Sequence, residues 1–167
     1  MPSPFFHKGI SYCLNHLNAV THHWEIELRN KQLKTVAVGV RYSCHCYTRS
    51  PKANELYDQE LVILDHTKVR LFDLTRYELS KSLPELLVTL PDSKVFHTGH
   101  HNLVRIQVGD VIGHPAPYFV FLSLKRKGKS VDLHVESAYP GDLIEDKEKY
   151  TKPIRFRVAL RNAFEGR

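Results

Sequence analysis

The sequence predicts an α+β fold, with a mainly antiparallel β-sheet and one or two helices packed on one side. Three observations carry this. Segments rich in Val, Ile, Tyr and Phe that alternate apolar and polar residues recur along most of the chain. Helical spacing is confined to two short windows, one near the start and one around residues 76–90. Many short strands with few helices are best accommodated by an antiparallel sheet covered on one face. The length of 167 residues fits one domain, residues 1–167, large enough to bury its apolar side chains without disulfide staples.

Taken in order, Ile10, Leu14, Leu17 and Val20 fall at near-helical spacing and predict a short amphipathic helix over residues 11–19. The period then changes. Residues 24–30, WEIELRN, alternate as a strand, and Asn30-Lys31-Gln32 offers a hairpin turn. The β-branched run TVAVGVRYSCHCYT, residues 35–48, predicts a long strand in which Gly39 marks a bulge or a close backbone approach. Residues 49–58 are polar and read as a loop. ELVILDH and VRLFDL follow as two short strands turning between Asp65 and Lys68. RYELSKSLPELLVTL is helical in part, with Ser80 or Ser82 as cap, Pro84 in the first turn, and Leu83, Leu86, Leu87 and Leu90 on one face.

In the second half, residues 94–110 contain one or two strands and residues 113–117 a loop. PYFVFLSLKRKG runs as a strand into a basic turn. KSVDLHVESAYP is the next strand, with Val131, Leu133 and Val135 on one face and Asp132, His134 and Glu136 on the other. Residues 141–153 form a charged loop. IRFRVALRN, residues 154–162, is expected to close the pattern as a strand, Arg155, Arg157 and Arg161 alternating with Ile154, Phe156 and Val158.

The net charge of +6 and eleven histidines give a surface that attracts phosphate backbones or anionic membranes, and charge alone does not choose between them. The three cysteines, Cys13, Cys44 and Cys46, form no framework and suit a reducing, cytoplasmic setting. No apolar stretch approaches the roughly 20 residues a membrane helix needs, and the start lacks a signal-peptide pattern. No membrane association is expected.

Several groups of residues bear chemistry. His97, His100 and His101 lie within five residues, followed by Arg105. RNA cleavage by transesterification needs a base for the 2′-hydroxyl, an acid for the leaving oxygen and a cation for the phosphate. Histidine and arginine supply these. An exposed polar turn would have the same composition. Cys44-His45-Cys46 has metal-binding side chains, but on a strand His45 would point away from the two thiols. The cysteines then read as buried small apolar groups and no metal is expected. Lys125, Arg126, Lys127 and Lys129 form a basic hairpin tip that could grip phosphates, more so if Arg155 and Arg157 share its surface. His134 and Glu136 share a strand face and suit acid–base work or a plain cross-strand pair.

The stretch PYFVFLSLKRKGKSVDLHVESAYP, with its Ser137-Ala138-Tyr139-Pro140 ending, resembles the last hairpin of the barnase–EndoU–colicin–RelE group of small ribonuclease toxins. The resemblance covers residues 95–140. It implies a helix packed on a curved antiparallel sheet, metal-independent RNA cleavage without a cofactor, and Ser137 and Tyr139 as polar residues of the RNA cleft. The first 70 residues and the segment after residue 153 depart from that pattern. The expectation is an RNA-binding protein acting as an endoribonuclease, with an acidic neutralising protein as partner. A non-catalytic module for nucleic acid or acidic protein is the alternative, followed by a zinc-stabilised interaction domain.

Overall fold

The structure, a computed structural model, describes residues 3–97, 103–108, 117–141 and 153–166, with residues 103–108 described for the main chain. The chain forms β1 (Phe5–His7), β2 (Ile10–Tyr12), β3 (Val20–Glu27), β4 (Leu33–Tyr42), β5 (Thr48–Arg49), β6 (Val62–Asp65) and β7 (Lys68–Phe72). Two helices follow, α1 (Leu74–Ser80) and α2 (Leu83–Val88), then β8 (Lys94–His97), β9 (Leu103–Val108), β10 (Tyr118–Lys127) and β11 (Ser130–Pro140). The short β12 (Ile154–Arg155) leads directly into α3 (Phe156–Glu165).

The expected α+β class holds. A seven-stranded sheet runs in the order β12-β8-β9-β10-β11-β4-β3. Every pairing in it is antiparallel except β11 with β4. A three-stranded sheet, β5-β7-β6, and the β1-β2 hairpin stand beside it. Among the described residues, no helix is long and apolar enough to cross a membrane.

One face of the sheet forms the main core. Val36, Val38 and Val40 of β4, Val120, Leu122 and Leu124 of β10, and Val131, Leu133 and Val135 of β11 alternate into one core with Trp24 and Ile26 of β3. Leu83 and Leu87 of α2 join it, as do Phe156, Ala159, Leu160, Ala163 and Phe164 of α3. The Phe156 ring meets Trp24 edge-on at 5.6 Å. The basic turn expected between β10 and β11 is a two-residue hairpin tip, Gly128-Lys129, closed by the Lys127–Ser130 pair. Gly128 takes φ +60 there while Lys129 stays negative, as in a type II′ turn.

Four local expectations are corrected. Residues 11–19 hold no amphipathic helix. They contain the end of β2 and a 3₁₀ turn, Asn15–Leu17, which suffices to bury Leu14 and Leu17. Residues 35–48 are not one strand. β4 ends at Tyr42, and Cys44–Cys46 is a 3₁₀ turn capped by the Ser43 hydroxyl, which accepts from the His45 amide at 3.1 Å. Residues 154–162 are not a closing strand. The alternation of Ile154, Phe156 and Val158 is outweighed by the helical spacing of Phe156, Ala159, Leu160, Ala163 and Phe164, and Gly166 ends α3 in the left-handed region at φ +80. Gly39 sits in regular pairing opposite Thr21 and Asp132, and the bulge lies in β11 instead.

Candidate functional site

The bulge builds the site. Phe121 pairs with Ser137 but Leu122 pairs with Val135, so Glu136 is the extra residue of β11. A bulge turns both of its residues to one side. Here Val135 and Ala138 stay in the core, while Glu136, Ser137 and Tyr139 stand on the opposite face with His134 and Asp132. β10 contributes Phe121 and Ser123 to that face, and β4 contributes Arg41.

Two groups result. The first is polar. Glu136 Oε1 accepts the Ser123 hydroxyl at 2.5 Å and lies 3.2 Å from Nδ1 of His134. A carboxylate at Nδ1 fixes that nitrogen as the proton-bearing one and leaves Nε2 as the basic position. Arg41 beside them chelates Asp132 with Nε and Nη2, the Nε contact being 3.1 Å, and that carboxylate raises the guanidinium above its ordinary range. The second is aromatic. Phe121 and Tyr139 stack at 5.5 Å with 16° between planes, and the Arg76 guanidinium lies 5.0 Å from the Tyr139 ring centre. Arg76 is held by the carbonyls of His45 at 3.2 Å and Thr48 at 2.8 Å, and burial lowers its basicity.

The structure brings some of the residues expected from sequence together and separates others. Ser137 and Tyr139 share this face. Arg105 occupies the register position opposite Phe121, in one row with Phe96 and Ser137. His97 follows the opposite alternation. It is two residues from the fully buried Val95 and in a row with Leu122 and Val135, so it belongs to the helix-covered side. His100 and His101 lie outside the described residues.

Lys125, Arg126, Lys127 and Lys129 are exposed at the hairpin tip, with Arg126 5.8 Å from the Phe164 ring near the end of α3. Arg157 is at the other end of that helix, about 10 Å away along the axis. It binds Asp92 at 3.1 Å and the Glu25 carbonyl. Arg155 pairs with Lys94 at the sheet edge. The basic residues therefore form two clusters and not one stripe. Sequence reading missed Arg76, because nothing local links a helical arginine to Tyr139, 63 positions later.

A sequence model of the YjaZ family matches residues 4–164, nearly the whole chain. The chain belongs to the YjaZ family. The protein YjaZ of Escherichia coli strain K12 is 33% identical over 129 residues, which cover 74% of this chain and 70% of that protein. No solved structure matches.

In this YjaZ-family chain a second cluster lies on the 3₁₀ turn after β4. His45 Nε2 is 2.8 Å from Asp65 Oδ2, at the end of β6, and the imidazole holds that carboxyl below its ordinary range. Cys44 is beside them and half-buried, its thiol pushed up by burial and by Asp65. Cys46 is fully buried, its thiol directed at the Val135 carbonyl at 3.8 Å and raised strongly by burial.

Proposed function

We propose that this chain binds single-stranded RNA on the face of its central sheet that carries Phe121, Ser137 and Tyr139. The Phe121–Tyr139 stack, braced by Arg76, is the observation that carries the reading. Paired rings on a sheet face opposite the core accept unstacked bases whatever their sequence. The position of Arg105 in the same row and the exposed Lys125, Lys127 and Lys129 supply charge for the phosphates. The net charge of +6 and the local likeness to ribonuclease toxin hairpins point the same way.

A second reading, cleavage of the bound RNA, is favoured by the His134–Glu136 pair. An imidazole oriented through Nδ1 can take the 2′-hydroxyl proton on Nε2, and the oxygen then attacks phosphorus as the 5′-oxygen leaves. On this reading His100 or His101 donates the proton to the leaving oxygen, and His97 takes no part. Fluorescence anisotropy with a labelled single-stranded RNA tests binding. Phe121→Ala and Tyr139→Ala each weaken it by about 1–3 kcal/mol, the worth of one base–ring stack. Affinity falls steeply with salt. Binding that ignores salt, or that survives both substitutions unchanged, removes the proposal.

A further inference from the structure

We propose that Cys44, His45 and Asp65 form a site for one divalent transition-metal ion, with zinc the best match. Each of the three offers a donor atom, and these atoms lie within 4.8 Å of one another. A tetrahedral zinc ion takes sulfur at about 2.3 Å and nitrogen or oxygen at about 2.0–2.2 Å. The three donors therefore already lie close enough together to converge on one such ion. Thiolate, imidazole and carboxylate together suit zinc, whereas magnesium and calcium select oxygen donors alone.

The backbone that presents these donors is held in place. The Ser43 hydroxyl caps the turn at the His45 amide, and the amides of Cys46 and Tyr47 bond the carbonyls of Ser43 and Cys44, each at 3.1 Å. The buried Cys46 anchors the turn below, and Arg76 bonds the His45 carbonyl from the side. Asp65 arrives from a separate element, the β6–β7 hairpin, where it pairs with Lys68. Preorganised donors on two fixed elements distinguish a built site from a chance surface cluster. All three side chains keep partial access to solvent, so an ion can enter, and a fourth coordination position remains for water or a ligand.

On a regular strand His45 would diverge from Cys44. The 3₁₀ turn, at three residues per turn, instead lets the two neighbours reach Asp65 together. This site does not depend on the RNA-binding reading. It also differs from a Cys44–Cys46 pair, because Cys46 points into the core.

The test is a titration of the full chain, stripped with chelator, with zinc and separately with cobalt(II) as a spectroscopic probe. Bound metal is counted by elemental analysis after desalting. One ion per chain and a cobalt–thiolate charge-transfer absorption are expected. Cys44→Ser abolishes that absorption and Cys13→Ser leaves it intact. Asp65→Asn keeps the hydrogen bond to His45 but weakens zinc by at least about tenfold, the lower end of what loss of even an outer partner costs. His7→Ala is the control for the second cluster of metal-capable side chains found among the described residues, His7 with Asp58 and Glu60, and leaves the stoichiometry unchanged. Failure to retain metal, a cobalt spectrum without thiolate character, or a thiolate signal that persists in Cys44→Ser overturns the proposal. Circular dichroism of each variant separates loss of metal from loss of fold.

Discussion

Nδ1 of His134 lies 3.2 Å from Oε1 of Glu136, the bulged residue two positions further along the same strand. Regular pairing would also put residues 134 and 136 on one face. The bulge adds Ser137 to that face, beside the carboxylate that orients the imidazole. On the cleavage reading, His134→Ala lowers single-turnover cleavage of labelled RNA by about 100- to 10,000-fold, the usual worth of a general base. RNA affinity stays unchanged. Glu136→Gln has the smaller effect of the two, because Nδ1 keeps a hydrogen-bond partner. Cleavage at the wild-type rate in His134→Ala would remove His134 from the chemistry and leave the binding surface standing.

His16 predicts a loss of stability on mild acidification. Its Nε2 lies 2.8 Å from Oγ of the fully buried Ser80. That hydroxyl donates its proton to the Tyr77 carbonyl at 2.7 Å. Burial first, and then Lys81, lower the imidazole from its ordinary value of 6.5. The unfolded chain therefore takes up the proton before the folded one does. Stability declines as pH falls through 6.5 towards the folded value, and levels off below it. Urea midpoints measured from pH 7.5 downwards should show a slope that flattens in His16→Gln relative to wild type. Identical slopes would contradict the assignment.

A carboxylate sets a separate window at lower pH. Glu55 accepts Arg49 Nη1 and the Lys52 amide, each at 2.7 Å, and Arg49 also approaches Asp73. The Arg49 guanidinium and then the Lys52 amide hold Glu55 down from 4.5 to about 2. A depressed carboxyl stabilises the fold above its unfolded value, and that contribution disappears between 4.5 and about 2 as it protonates. Glu55→Gln should lower stability at neutral pH and remove that part of the acid dependence. The readout is a series of thermal melts from pH 6 to 2. The pair keeps partial access to solvent, so the effect should shrink in high salt.

Tyr118 is a candidate for stabilisation. Its ring is fully buried, its hydroxyl finds no partner among the described residues, and burial pushes its ionisation far above the ordinary range. A buried hydroxyl without a partner costs about 1–3 kcal/mol. Tyr118→Phe removes that cost while keeping the ring, and should raise the melting midpoint by about 2–4 °C per kcal/mol recovered. A lower midpoint would mean the hydroxyl is satisfied after all.

By itself the sequence determined the fold class, the β6–β7 and β10–β11 hairpins and the side of β11 that is buried, because period-2 alternation and turn residues are local properties of the chain. Ser137 and Tyr139 were legible as neighbours for the same reason. Tertiary packing decided the rest. Residues 154–158 fit a strand and a helix equally well, and the core chose the helix because Phe156, Leu160 and Phe164 can then pack across the sheet against Trp24 and its neighbours. Only strand order put His97 on the opposite side from Ser137, since a sheet separates successive residues by face and their closeness in sequence carries no weight. Likewise, only the 3₁₀ turn after Tyr42 and the arrival of a distant hairpin brought Cys44 and His45 to Asp65. Those contacts arise between elements, and no window of sequence contains them.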